Sequence, residues 1–147
     1  MRVGVIGAGL QCGRRISALA ADDELVGIAA PELDGTWTRA HSVRARVFDH
    51  WDQLLAQPGL DAVIVATPPD SHLAATVAAL TAGKHVLCEK PLARGSEEAA
   101  LMEAAARDHG RVLHCGFNHR FHPAVRALAR IVADAAYGRP LSALGVY

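Results

Sequence analysis

Short runs of β-branched and aliphatic residues alternate along this 147-residue chain with longer, alanine-rich segments of helical periodicity. The clearest run, D-A-V-I-V-A at residues 61–66, is typical of a strand that is buried on both faces of a sheet. Strands that alternate with helices in this way form right-handed βαβ units. The alternation therefore predicts an α/β fold with a doubly wound parallel sheet.

The predicted elements follow one another without a repeat or a linker. Predicted strands cover residues 2–6, 25–30, 46–48, 61–66, 85–88 and 112–116, and residues 141–147 form one more extended run. Helices are predicted at residues 10–21, 35–45 and 51–56, and three further helices begin after Asp70, at Ser96 and at Pro123. Asp70 and Ser96 are predicted N-caps, because their side-chain oxygens can accept hydrogen bonds from the first free N–H groups of a helix.

The charge balance and the cysteines exclude several classes of function. Lys plus Arg and Asp plus Glu both number 15, so the chain lacks the basic excess that binding to nucleic acid or an anionic membrane requires. No apolar run approaches the ~18 residues of a membrane-spanning helix. The three cysteines form no C-x-x-C pair, so neither a disulfide framework nor a metal site is predicted. We expect a cytoplasmic protein.

A glycine-rich turn, Gly7-x-Gly9-x-x-Cys12, follows the first predicted strand and opens the first helix. The first glycine of such a turn allows the sharp bend, the second lets the backbone approach a pyrophosphate, and the third position must stay small. The N–H groups of the helix then point at the phosphates. Cys12 takes the third position. The motif predicts dinucleotide binding; the alternatives are a tight turn without a ligand, or another nucleotide-like ligand.

The second strand lacks the acid that commonly binds the adenosine ribose, because Ala30 occupies the expected position. Glu32 or Asp34 could reach back from the following loop, or could be ordinary loop residues. Equally, the absence of an acid removes the repulsion against a 2′-phosphate, with which an arginine could pair. The candidate arginines are Arg14, Arg15 and Arg39. The sequence therefore leaves NAD and NADP as open alternatives.

The segment T-P-P-D-S-H at residues 67–72 lies where the fourth strand ends and its helix begins, the edge at which doubly wound sheets bind ligands. The Thr67 hydroxyl can form a hydrogen bond with a ribose or with a main-chain group. His72 lies in the first helical turn, where the helix dipole favours the neutral ring as a donor and acceptor beside a ligand. The alternative is that Thr67 only ends the strand and His72 is solvated.

The next strand runs directly into Glu89, Lys90 and Pro91. Lysine is rare in this chain, with two against thirteen arginines, so a lysine at the carboxyl end of a strand is a candidate functional residue. In a closed site Glu89 could position Lys90 while the Lys90 ammonium binds a substrate hydroxyl or carbonyl oxygen. Pro91 could fix the turn through a cis bond. The alternative is a surface ion pair that contributes ~0–1 kcal/mol.

Four segments, G-A-G near the N-terminus, V-I-V-A-T-P-P-D-S-H at 63–72, H-V-L-C-E-K-P-L at 85–92 and G-F-N-H-R-F-H-P at 116–123, occur in this order. Together they resemble the nucleotide-binding half of the glucose–fructose oxidoreductase/inositol dehydrogenase (Gfo/Idh/MocA) family. The resemblance implies a Rossmann-like domain over residues 1–140 that binds NAD or NADP, with Lys90 as the catalytic partner of a substrate hydroxyl. The implied cofactor-binding residues are Gly7, Gly9, Leu10, Thr67, Pro68, His72, Glu89 and Lys90.

The sequence departs from the family pattern at Cys12, at Ala30 and at its end. The family's C-terminal α+β domain, which supplies most of the sugar or polyol pocket and an acid–base histidine, is expected to be absent, with residues 141–147 as its truncated start. We therefore expect hydride transfer between nicotinamide and a substrate hydroxyl or carbonyl carbon, by a chain that is incomplete as an independent catalyst. The alternative function is a non-catalytic dinucleotide-binding or redox-sensing module.

Two further expectations concern the last part of the chain. His119 and His122 lie near a helix start, where histidines more often cap or pack than catalyse. The final strand, at residues 141–147, would leave unpaired edge groups. It therefore predicts a homo-oligomer, or pairing with a partner chain.

Overall fold

The computed structural model describes residues 1–31 and 45–144. Six parallel strands form one sheet in the order β3-β2-β1-β4-β5-β6. The strands are β1 (Arg2–Ile6), β2 (Glu24–Ala29), β3 (Arg46–Phe48), β4 (Ala62–Val65), β5 (His85–Cys88) and β6 (Leu113–Cys115). This order is that of a doubly wound α/β fold, in which the direction of winding reverses between β1 and β4. The predicted fold class is confirmed.

Five α-helices lie in the described part of the chain. They are α1 (Leu10–Ile16), α2 (Trp51–Leu55), α3 (His72–Thr81), α4 (Ser96–Asp108) and α5 (Pro123–Ala133). The helix predicted for residues 35–45 lies outside the described residues over positions 35–44. None of the helices described is long and apolar enough to cross a membrane.

Helix α1 is shorter than predicted, ending at Ile16 instead of continuing to residue 21. Side chains compete with the helix for backbone groups just beyond this point. The Ser17 hydroxyl donates to the carbonyl oxygen of Gly13 at 3.0 Å, and the Asp23 carboxylate accepts from the Ala20 N–H at 3.1 Å. The chain therefore continues from α1 as turns that lead into β2.

The two predicted N-caps are wrong in detail. Asp70 lies inside a 3₁₀ turn, Pro69–Ser71, so that Ser71 precedes α3 and makes no capping bond with its side chain. Ser96 is the first residue of α4 and makes no capping bond either. At α4, the carboxylate of Glu98 reaches back to the main-chain N–H of Arg94 at 3.0 Å. A glutamate in the first turn thus accepts from an N–H group that precedes the helix.

The core has two layers, one on each face of the sheet. Along β4 the side chains alternate, with Val63 and Val65 in one layer and Ile64 in the other. The larger layer packs the sheet against α2, α3 and α4 through Leu54, Leu80 and Met102, each of which has no exposed surface. The smaller layer packs it against α1 through Cys12 and Ile16. The alternation explains why the β4 sequence is apolar at successive positions.

The chain divides into two compact units, Met1–Gly116 and Phe117–Tyr147. In the second unit His122 caps α5, because its ring accepts a hydrogen bond from the Ala124 N–H at 3.3 Å, as expected for a capping histidine. Residues 141–144 are not in a strand, and residues 145–147 lie outside the described part. The domain boundary at residue 140 and the self-association through the last segment stay predictions.

Substitution Leu80→Ala should lower the free energy of unfolding by about 2–5 kcal/mol, because the side chain has no exposed surface and its removal leaves a cavity. The matched control is Leu101→Ala, also in a helix but 59% exposed, which should change stability by about 0.5 kcal/mol or less. Urea unfolding followed by circular dichroism measures both. Equal losses for the two variants would contradict the assignment of the core.

Candidate functional site

A cleft of about 340 Å³ opens at the carboxyl ends of four neighbouring strands. It is lined by Gly7 and Ala8 after β1, Ala30 and Pro31 after β2, Asp49 to Trp51 after β3, and Thr67 and Pro68 after β4. The glycine-rich turn and the T-P segment therefore line one cavity, at the point where the strand order reverses. Ligands of doubly wound sheets bind at this place.

The glycine turn lies in very close contact with the end of β4. Gly7 has a φ of +104°, and a Cβ there would lie 2.6 Å from the carbonyl oxygen of Ala66, so only glycine fits. Its N–H donates to the carbonyl oxygen of Ala29 in β2 at 2.8 Å. By contrast, a Cβ on Gly9 would meet nothing within 4 Å. The backbone at Gly9 thus faces open space that a ligand could fill.

Cys12 packs well in the third position of the turn. It is completely buried in the core layer that contains Val5, Ile28 and Ile64, and burial raises the pKa of its thiol to about 11. The side chain therefore acts as a small neutral residue between α1 and the sheet. Leu10, predicted to bind the cofactor, is 72% exposed.

Thr67 carries a polar atom with no partner. Its Oγ1 is buried and makes no hydrogen bond with any residue that the structure describes. A buried hydroxyl without a partner costs about 1–3 kcal/mol. Thr67 lines the cleft with its other atoms, because the hydroxyl oxygen has almost no exposed surface.

His72 joins two loops by hydrogen bonds, and the alternative that it is solvated is wrong. The residue is 1% exposed, so it is not solvated. Its Nε2 lies 2.9 Å from the carbonyl oxygen of Thr67, and its Nδ1 lies 2.8 Å from that of Pro91. Both ring nitrogens therefore face main-chain carbonyl oxygens, and the neutral ring donates to one of them. The ring thus joins the loop after β4 to the loop after β5. The role of His72 in cofactor binding stays a prediction.

Glu89 is buried and forms an ion pair with Arg15 of α1, not with the ammonium of Lys90. The Nε of Arg15 donates to Oε1 of Glu89, while Oε2 accepts from the main-chain N–H of Lys90 at 3.2 Å. A Cβ on Gly116 would lie 3.1 Å from the same Oε2, so the loop after β6 closes over the carboxylate. A surface ion pair between Glu89 and Lys90 is thus excluded. Because Arg15 is paired with Glu89, it is not available to a 2′-phosphate.

Lys90 is exposed, and its ammonium makes no hydrogen bond or ion pair with residues 1–31 or 45–144. The Lys90–Pro91 peptide bond is cis, as predicted. Lys90 and Glu89 lie at the end of β5, one strand beyond the four that form the cleft. The ammonium is therefore accessible to a substrate.

Sequence reasoning missed two parts of the site. One is Arg15 as the partner of Glu89, although an acid directly after a buried strand indicates that a cation is nearby. The other is the segment from Asp49 to Trp51, which lines the cleft because β3 ends level with β2. Of the ribose candidates named from the sequence, Glu32, Asp34 and Arg39 lie outside the described residues.

Comparison with known proteins agrees with this geometry. A family model, GFO_IDH_MocA, described as an oxidoreductase family with an NAD-binding Rossmann fold, matches residues 1–117. Levoglucosan dehydrogenase from Pseudarthrobacter phenanthrenivorans is 36% identical over 84% of the chain and 32% of its own length. Inositol 2-dehydrogenase from Acidothermus cellulolyticus is 35% identical over 97% of the chain and 43% of its own length. The chain therefore spans less than half of these relatives.

A solved structure gives the same comparison in three dimensions. A 3-ketoreductase from Actinomadura kijaniata, in complex with TDP-benzene and NADP, superposes with a TM-score of 0.80 at 34% identity. The match covers 90% of this chain and 43% of that one. The fold of this chain is thus the fold of one part of a longer oxidoreductase.

Substitution Arg15→Gln should lower the free energy of unfolding by about 3 kcal/mol, because it leaves the buried Glu89 carboxylate without its cation. Arg14→Gln, at the exposed neighbouring position, should cost about 0.5 kcal/mol or less. Adding Glu89→Gln to Arg15→Gln should restore part of the loss. Urea unfolding of the wild type, Arg15→Gln, Glu89→Gln and the double variant measures the coupling, and strictly additive effects would show that the pair is not formed.

Proposed function

Because this chain belongs to the GFO_IDH_MocA oxidoreductase family, we propose that its cleft binds NAD or NADP and that Lys90 binds the oxygen of a sugar or polyol substrate. One observation carries the proposal: the glycine turn after β1 and the Thr67-Pro68 segment after β4 line a single cleft at the point where the winding of the sheet reverses. Ligands of doubly wound sheets bind at this place.

The residues present fit a dinucleotide. Open space in front of Gly9 leaves room for a diphosphate against the main chain of the turn, since no side chain projects there. Pro68 and Ala30 give the cleft apolar walls on either side of the switch point. The cofactor would therefore be held by Gly7, Gly9, Leu10, Thr67 and Pro68. His72 and Glu89 would fix the loops around these residues.

Lys90 would act on the substrate rather than on the cofactor. When bound, the nicotinamide ring donates or accepts the hydride. An ammonium that donates a hydrogen bond to the substrate oxygen stabilises the negative charge that develops there as the adjacent C–H bond breaks or forms. The main-chain N–H of Lys90 is held by the Glu89 carboxylate, which is in turn held by Arg15. This chain of contacts orients the strand end that presents the ammonium.

The names of the relatives support the substrate class and both cofactors in this proposal. Two of them are named for inositol and levoglucosan, and the Actinomadura enzyme was crystallised with NADP. We extend to this chain a small sugar or polyol and either cofactor. Lys90 is exposed, whereas efficient hydride transfer needs a site from which water is excluded. The chain is therefore proposed to be incomplete as an independent catalyst.

Substitution Gly9→Asp should weaken binding of NAD and NADP by at least about 100-fold, because a carboxylate in the open space would meet the diphosphate. Gly95→Asp is the matched control, because Gly95 also precedes a helix and also has no atom within 4 Å of a Cβ. Calorimetric titration measures the affinities, and circular dichroism checks the fold. Unchanged binding in Gly9→Asp would rule out the turn as the diphosphate site.

Substrate-dependent reduction of the cofactor separates this function from a non-catalytic dinucleotide-binding or redox-sensing module. We expect slow reduction with a panel of polyols and sugars, falling at least about tenfold in Lys90→Ala because the developing charge loses a donor. The affinity for the cofactor alone should change by less than about threefold, since Lys90 acts on the substrate. Absorbance at the reduced nicotinamide band gives the rate. Tight cofactor binding with no reduction for any substrate would favour the module.

A further inference from the structure

Three strands end at the same level beneath the cleft. The N–H of Gly7 donates to the carbonyl oxygen of Ala29 at 2.8 Å, and the N–H of Ala30 donates to that of Phe48 at 3.0 Å. The first residue beyond each strand is therefore Gly7 for β1, Ala30 for β2 and Asp49 for β3. These three residues form one row across the edge of the sheet. The usual place for an acid that binds the adenosine ribose is the end of β2. Here Ala30 occupies that place, and the nearest described acid, Asp49, stands at the end of β3, one strand further out.

The carboxylate of Asp49 is not committed to any other contact. Asp49 is exposed and lines the cleft, and its main-chain N–H donates to the Gln53 side chain at 3.2 Å. The carboxylate itself forms no hydrogen bond or ion pair with residues 1–31 or 45–144. Among the described residues that line the cleft, Asp49 is the only carboxylate, and none is Lys or Arg.

We infer that Asp49 accepts a hydrogen bond from the adenosine ribose and makes the cleft select NAD over NADP. This inference rests on the proposed function, which leaves the two cofactors open. A carboxylate accepts hydrogen bonds from a ribose diol, whereas it repels a 2′-phosphate that carries a like charge. The described wall of the cleft offers no cation to offset that repulsion. Asp49 therefore replaces the acid that is missing at Ala30.

Asp52 provides a matched control for Asp49. It lies three positions further on, at the start of α2, and is also exposed, but it does not line the cleft. Its carboxylate lies 3.1 Å from Nδ1 of His50, which forms an ion pair with it when the ring is protonated. A substitution at Asp52 therefore changes the net charge by the same amount without changing the group in the cleft.

The experiment is a calorimetric titration of the full chain, and of its Asp49→Asn and Asp52→Asn variants, with NAD and with NADP at low ionic strength. The wild type should bind NAD at least about tenfold more tightly than NADP. Asp49→Asn should reduce this ratio about tenfold, mainly through tighter binding of NADP, because the like-charge repulsion is removed. Asp52→Asn should keep the ratio within about twofold, and rising salt should reduce the wild-type ratio.

Several results would overturn the inference. A wild type that prefers NADP, or an Asp49→Asn variant with the wild-type ratio, would show that Asp49 does not face the 2′ position. An equal loss of affinity for both cofactors would place Asp49 against a group that they share. The variants Glu32→Gln and Asp34→Asn are titrated in the same way. If either of them lowers the preference for NAD over NADP and Asp49→Asn does not, the ribose-binding acid lies in the segment after β2. Absence of binding to either dinucleotide would refute the proposed function itself, and the inference with it.

Discussion

The close contact between the turn after β1 and the end of β4 is the constraint on which the cleft depends. A side chain at residue 7 would collide with the carbonyl oxygen of Ala66, so the contact exists only because Gly7 has none. β1 and β4 are also the pair at which the winding of the sheet reverses. The turn that holds Gly9 and the loop that holds Thr67 are therefore placed by the same contact. The ligand site is a consequence of how the sheet is wound.

Two buried side-chain links hold the loops around this site. The Arg15–Glu89 pair connects α1 to the end of β5, and His72 connects the loop after β4 to the loop after β5. His72 is almost completely shielded from water, and the Arg15–Glu89 pair is partly shielded. Breaking either link would leave a polar or charged group without a partner, at a large cost in free energy. The loops are thus ordered before a ligand arrives. Binding to a preformed site costs less conformational entropy.

Features encoded locally could be predicted from the sequence, and features that depend on distant partners could not. The six strands of the sheet and the glycine turn follow from short-range patterns, and the structure confirms them. The further strand predicted at residues 141–147 is wrong over residues 141–144. The roles of His72 and Arg15 depend on partners 19 and 74 positions away, which no local pattern reveals. Asp49 was missed for a similar reason, because its place in the cleft depends on the alignment of β3 with β2. The positions of functional groups were therefore easier to predict than their contacts.

Cys12 gives the chain a chemical reporter when its modification is followed separately from that of Cys88 and Cys115. Its sulfur lies between α1 and the sheet, and the thiolate that reacts with alkylating reagents is suppressed by burial. A reagent can modify it only when α1 lifts away from the strands. The rate of modification in the folded protein therefore measures how often this helix detaches, and any molecule that pins the helix in place will slow it.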